Sequence, residues 1–260
     1  MITLASDFGS AYPAAMKGVI LSKTDARLVD IGHDFPRQDV RAAAFWLRET
    51  LPYFPPAVHL AVIDPGVGTE RRAVVVRVGD HVFVGPDNGV LRPPARRIAE
   101  GHGGDVPIEA YEIRVTDPES ATFHGRDVFA PAAADAHDVG SDALDTVERF
   151  EPCSVEPLTD LQFPSPTVDS EAQTATGEVL VVDDFGNCIT NLPGDFVRGH
   201  DRVDVNGEPT PVGQTFEAVA RGERLVTVGS HGNVECDVNH GRGDEAFGLE
   251  PGETVRLRVA

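Results

Sequence analysis

The chain has 260 residues, enough for one large domain or two smaller ones, and 41% hydrophobic content supports a buried core rather than disorder. The 42 acidic residues against 22 basic give a formal net charge of −20, a surface that repels phosphates and argues against nucleic acid as a partner. No stretch approaches the roughly 20 apolar residues of a membrane span, and the opening MITLASDFGS has no signal-peptide pattern, so a cytoplasmic protein without a membrane partner is expected.

Lys17 and Lys23 are the sole lysines, the other basic residues being arginine. An acid-rich, lysine-poor chain suits a high-salt cytoplasm, where screening relieves self-repulsion, and a halophilic, salt-requiring protein is expected. Cys153, Cys188 and Cys236 lie far apart with no CxxC pair and read as reduced, partly buried thiols without a role.

In chain order, residues 2–6 form a short apolar strand ending at Asp7-Phe8-Gly9, and residues 12–22 suit a helix. A second strand is expected at 27–31. Residues 39–51 carry Val40, Ala43, Ala44, Leu47 and Leu51 at helical spacing. Residues 57–63 are a continuous apolar run ending in Asp64-Pro65-Gly66, the pattern of a buried strand. Residues 73–78 and 81–84 flank Gly79-Asp80 as a hairpin. Strands alternating with helices predict an α/β domain over 1–150 with a mostly parallel sheet covered on both faces. Residues 151–176, with Pro152, Pro157, Pro164 and Pro166, read as a linker. Strands at 177–183, 202–205, 224–228 and 255–259, with one short helix at 216–221, predict a small C-terminal β-barrel domain over 177–260.

Four segments set polar residues beside glycines: Ser6–Gly9, 64–72 (DPGVGTERR), 123–127 (FHGRD) and 183–187 (DDFGN). The first two follow apolar strands, where open α/β sheets bind ligands. Each segment alone is ordinary turn chemistry. Gly66-Val67-Gly68-Thr69 lacks the spacing and lysine of a phosphate loop, and no GxGxxG follows a strand. Asp64, His124 and Asp127, with His33 and Asp34, could suggest a metal hydrolase, but no HExxH or HxH spacing supports one and Arg71 and Arg126 oppose a cation. No metal and no cofactor are expected, and His33 and Asp34 are left as pocket or turn residues.

Together with Met16–Ile20 (MKGVI), 85–89 (GPDNG) and 123–131 (FHGRDVFAP), these segments resemble, in order, the S-adenosylmethionine hydrolases. That family, the adenosine-forming hydroxide adenosyltransferases, is related to the fluorinating and chlorinating enzymes acting on the same substrate. The resemblance is weakest over 150–176. It implies a Rossmann-like N-terminal α/β domain, a C-terminal β-barrel, and a homotrimer with active sites at subunit interfaces. It also implies Asp64, Arg71 and His124 as the catalytic set, with Arg72 as the alternative to Arg71. For S-adenosylmethionine binding it implies Asp7 on the ribose, Asp183 and Asn187 on the amino group and adenine, and Ser230 on the carboxylate.

The expected reaction needs a better nucleophile than water but no acid, because the leaving thioether is neutral. A carboxylate can take a hydrogen bond or proton from water, an imidazole can orient it, and a guanidinium favours hydroxide character. One alternative is a halogenase, but a halide needs no base beside the reacting carbon. A non-catalytic S-adenosylmethionine or adenosine sensor is the other, and it would tolerate loss of His124.

Overall fold

The computed structural model describes residues 1–104, 106–116 and 119–259. Two compact units divide the chain, Met1–Leu161 and Gln162–Ala260.

In the first unit, β1 (Ile2–Ser6), α1 (Tyr12–Leu21), β2 (Leu28–Gly32), α2 (Val40–Thr50), β3 (Val58–Val62), β4 (Ala73–Val78) and β5 (His81–Pro86) are followed by α3 (Arg92–Gly101), β6 (Ile108–Ile113), α4 (Ala130–Val139) and β7 (Phe150–Cys153). The seven strands form one sheet in the order β2-β1-β3-β5-β4-β6-β7. β1 pairs in parallel with β2 and β3, and β3 with β5, whereas β5-β4, β4-β6 and β6-β7 are antiparallel. The sheet is therefore mixed rather than mostly parallel, because the tight Gly79-Asp80 hairpin reverses the chain and β6 and β7 extend the reversed edge.

Alternation along the strands places Ile2, Leu4, Val58, Leu60, Val62 and Val84 in one core with Met16 and Ile20 of α1 and a run of alanines on α4. Small side chains let α4 lie close to the strands. The helix α3 was not legible as a separate element; Pro93 and Pro94 sit at its start, where a missing N–H costs nothing, and Ala95, Ile98 and Ala99 are buried. The proline-bearing strand β7, inside a segment that reads as connection, pairs with β6 at the sheet edge, where Pro152 is tolerated.

In the second unit, β8 (Thr167–Asp169), β9 (Thr174–Val182), β10 (Cys188–Pro193), β11 (Arg202–Val205), β12 (Glu208–Pro211), β13 (Arg224–Val228), β14 (Asn233–Val238), α5 (Gly243–Phe247) and β15 (Thr254–Arg258) follow. Strand order is β12-β11-β15-β9-β10-β14-β13, with β8 added on β9. A bridge between Val212 and Val226 brings the two ends together, so the sheet is nearly barrel-shaped. Val179, Cys188, Leu192, Val226, Val234, Cys236 and Leu257 fill its interior. The expected helix at 216–221 is a single tight turn, Phe216–Ala218, because Val219 is already extended and its carbonyl accepts from Asn239. Burial pushes the Cys188 thiol up to about 12. Among the described residues, no helix is long and apolar enough to cross a membrane.

Candidate active site

The parallel strands β1 and β3 lie side by side, with Ser6 opposite Val62. Their carboxyl ends therefore deliver Asp7 and Asp64 to the same edge of the sheet. After Asp64 the chain turns tightly: Val67 N donates to Asp64 O, Thr69 N to Gly66 O, and Thr69 Oγ1 to Gly66 O at 2.7 Å. This turn brings Arg71 back onto Asp64. Arg71 Nε donates to Asp64 Oδ1 at 2.8 Å and Nη2 to Oδ2 at 2.5 Å, a two-pronged pairing of fixed geometry. The same Nη2 lies 2.9 Å from His124 Nδ1. The side chains of Asp64 and Arg71 are 3% and 10% exposed and His124 is buried, so the contacting groups are largely shielded from bulk water. Phe129 stacks beneath the guanidinium, 5.0 Å from centroid to Cζ.

A guanidinium can only donate, so Nδ1 of His124 accepts and the ring proton sits on Nε2. Burial and the neighbouring Arg71 cation lower the His124 pKa, against the weaker pull of Asp64 and Asp127. The imidazole is thereby kept neutral with an N–H to offer. Adjacent Arg72 turns away: it pairs with Asp87 Oδ2 (Nη2 2.6 Å, Nε 2.9 Å) and donates to Pro157 O. Of the two arginines, Arg71 is the one joined to Asp64 and His124.

Asp7 Oδ2 accepts from Gln38 N at 2.7 Å. Gln38 holds a left-handed φ of 62°, a strained conformation for a residue with a side chain. His33 clamps the same loop, its Nδ1 2.8 Å from Ser6 Oγ and its carbonyl accepting from Gly9 N. Its Nε2 meets Asp30, which also pairs with Lys17. His33 is thus a support of the Asp7 turn, and Asp34 is exposed. Asp127 holds its own loop, accepting from Ser120 N and from Arg126. A cavity of about 340 Å³ opens beside this group, lined by Asp64, His124, Phe8, Tyr12 and Phe123 among others.

In the second unit, Asp183 Oδ1 accepts from Phe185 N and Asn187 N, and Oδ2 from Asn187 Nδ2 at 3.0 Å. The turn needs Gly186: its φ is +89°, and a Cβ there would fall 2.7 Å from Arg242 Cβ. Beside it a cavity of about 550 Å³ is lined by Asn187, Phe185 and Phe216 among others. Phe185 is 79% exposed, a large apolar ring left open at the mouth. Ser230 is exposed in the β13–β14 turn. Cys188 pairs with Cys236 and Pro193 with Asn233, so Ser230 lies beyond the far end of β10 from Asn187. That distance is roughly a strand length, at about 3.3 Å per residue. The structure joins Asp183 to Asn187 but does not bring Ser230 to them.

The aromatic residues were missed in the sequence. Phe8 and Phe185 sit in DFG segments, a signal that could have been followed; nothing in the spacing joins Tyr12 to Phe123.

Two family models match this chain: the SAM hydroxide adenosyltransferase N-terminal domain over residues 2–145 and its C-terminal domain over 177–256. The chain is 41% identical to an "(R)-S-adenosyl-L-methionine hydrolase" of Salinispora tropica, over 98% of this chain and 97% of that protein. It is 41% identical to one of the same name from Thermus thermophilus, over 97% of each. Among solved structures, an uncharacterized conserved protein from Thermotoga maritima superposes with a TM-score of 0.80 at 34% identity, covering 100% of both chains. These matches span both units and nearly the whole sequence, and the chain belongs to the SAM hydroxide adenosyltransferase family.

Proposed function

We propose that this chain hydrolyses S-adenosylmethionine to adenosine and methionine, with water held by Asp64, Arg71 and His124. The observation that carries the reading is the single Arg71 Nη2 that serves both Asp64 and His124. It fixes the carboxylate and the imidazole on one guanidinium nitrogen. A water beside Asp64 donates to the carboxylate and keeps a lone pair for the ribose C5′, while the Nε2–H of His124, on the side of the ring away from Arg71, is left to orient the reacting groups. As the O–C5′ bond forms, the C5′–S bond breaks and its electron pair stays on sulfur as the methionine thioether. The water proton passes to Asp64 and then to solvent. An oxygen approaching a sulfonium disperses charge in the transition state, so exclusion of bulk water favours the reaction. Alignment contributes further, up to about 7–11 kcal/mol in well-oriented systems.

Asp7 takes the ribose hydroxyls, since a carboxylate can accept from both hydroxyls of a cis-diol. Asn187 offers a donor and an acceptor to the adenine edge, with the exposed rings of Phe185 and Phe216 as stacking walls. Asp183 takes the amino group; the carboxylate is borne on the same carbon, so Ser230, about a strand length away, is not assigned to it. The two sets of residues lie in different units, and the family likeness supports a cytoplasmic homotrimer in which each site forms where subunits meet. The helix-flanked mixed sheet supports a Rossmann-like first domain, and the near-closed sheet a C-terminal β-barrel. The relatives' name specifies the (R) configuration at sulfur, which we extend to this substrate. Neither a cofactor nor a metal enters this chemistry. Halide transfer is disfavoured, because a halide has no use for Asp64.

Adenosine release is to be measured for the wild type, Asp64→Ala and His124→Ala, with and without chloride or fluoride. The wild type is expected to form adenosine under every condition. Each variant is expected to lose about 10²–10⁴-fold in turnover with substrate affinity changed far less. A 5′-halo-adenosine product would overturn the hydrolase, and intact substrate bound by the wild type would make it a sensor.

A further inference from the structure

Three aromatic rings beside the Asp64–Arg71–His124 group take no part in activating the water. Phe8 lies in the turn after β1, Tyr12 opens α1, and Phe123 directly precedes His124. Their ring centroids are 6.3 Å (Phe8–Tyr12), 6.1 Å (Phe8–Phe123) and 5.3 Å (Tyr12–Phe123) apart, with interplanar angles of 74°, 81° and 80°. All three line the cavity that Asp64 and His124 also line. Gly125 makes the arrangement possible, since a Cβ there would fall 3.2 Å from Phe8 and 3.3 Å from Phe123 ring carbons. Phe8 and Phe123 pack against the core and are fixed by it, whereas Tyr12 is 59% exposed.

The three rings give the cavity beside Asp64 and His124 an aromatic, polarisable wall. The Phe123 ring already attracts a cation, Arg126, whose Cζ lies 5.4 Å from its centroid and whose guanidinium is tied to Asp127. Among the described residues, no cation sits over the ring of Phe8 or Tyr12.

The geometry points to this aromatic corner as the seat of the substrate's sulfonium, a refinement that rests on S-adenosylmethionine being the substrate. A sulfonium spreads its charge over weakly hydrated carbons, as a quaternary ammonium does, and that class of cation is taken by aromatic cages. In-line attack adds a constraint. With the oxygen about 3–3.5 Å from C5′, the sulfur lies only one further C–S bond away, so water and cation must share one cavity. The corner holds charge that leaves the sulfur as the C5′–S bond breaks. It therefore strengthens substrate binding without speeding the chemical step, and it lets the neutral thioether go.

The test compares wild type, Tyr12→Leu, Tyr12→Phe and Phe8→Leu by kcat and KM for S-adenosylmethionine, and by equilibrium binding of both S-adenosylmethionine and S-adenosylhomocysteine. The latter keeps the adenosyl and amino-acid parts but has a neutral sulfur. Tyr12→Leu is expected to raise KM and weaken binding of the sulfonium by about 3- to 30-fold, with kcat not falling in proportion and the neutral thioether bound nearly as before. Tyr12→Phe is expected to restore wild-type discrimination, and Phe8→Leu to lose it as Tyr12→Leu does. If both ligands weaken equally, or neither does, the corner is not a sulfonium seat. A wild type that binds but releases no adenosine would sink the hydrolase reading alone, because the ratio of the two affinities still judges the corner.

Discussion

At the scale of single residues, Arg71 decides what its neighbours can do. Its permanent donors leave His124 with an accepting Nδ1 and a donating Nε2–H, and in the proposed reaction Asp64 receives the water's proton. Protonating Nδ1 would set two donors against each other and break the contact to Nη2. In the proposed mechanism the neutral ring is the working form, and burial and Arg71 hold its pKa below the ordinary 6.5. Activity is therefore expected to be lost as pH falls, with the acid limb of kcat/KM below 6.5 and a plateau above it. A pH–rate profile checks this, and an acid limb centred above 6.5 would contradict it. Arg71 and Arg72 could not be told apart by spacing. Neighbours in an extended segment point to opposite sides, and the turn after Asp64 decides which side faces it.

At the scale of elements, the parallel strands carry Asp7 and Asp64 at one end and a buried polar chain near the other. Thr3 Oγ1 lies 2.8 Å from His59 Nδ1, and His59 Nε2 lies 2.9 Å from His81 Nδ1. These residues start β1, β3 and β5, away from Asp7 and Asp64. Burial, and then repulsion from His81, lowers the His59 pKa to about 3. A histidine whose folded pKa is depressed stabilises the fold above its unfolded pKa of 6.5 and loses that contribution as pH falls toward 3. The loss amounts to roughly 4 kcal/mol at the lower limit. Thermal unfolding between those pH values is expected to show a falling Tm, and His59→Phe should flatten the fall even if it lowers the plateau. An equally steep fall in the variant would assign acid lability elsewhere. The apolar strands were legible because they are continuous runs. The reversed edge was not, since hydrophobicity does not encode which neighbour a strand pairs with.

For the whole molecule, charge dominates. The arginines pair extensively, as with Asp64, Asp87, Asp135 and Asp244, but 42 acidic against 22 basic side chains leaves an excess of 20 negative charges. Salt screens both the pairs and the repulsion, and with so large an excess the repulsion is the greater term. We expect Tm to rise by at least about 5 °C between about 0.1 and about 2 M KCl, measured by calorimetry with light scattering to follow the association state. A Tm that is flat or falls with salt would remove the proposed salt requirement.

By itself the sequence determined the apolar strands, the hairpin, the acidic surface and the family, because each is written in contiguous residues or in ordered motifs. Tertiary structure alone decided that Arg71 rather than Arg72 meets Asp64, that His124 offers Nε2–H, that His33 braces the Asp7 turn, and that three rings from separate segments form one corner. Those facts depend on contacts between residues as far apart as Phe8 and Phe123. Such contacts are set by how β1, β3 and α4 pack, which no local pattern carries.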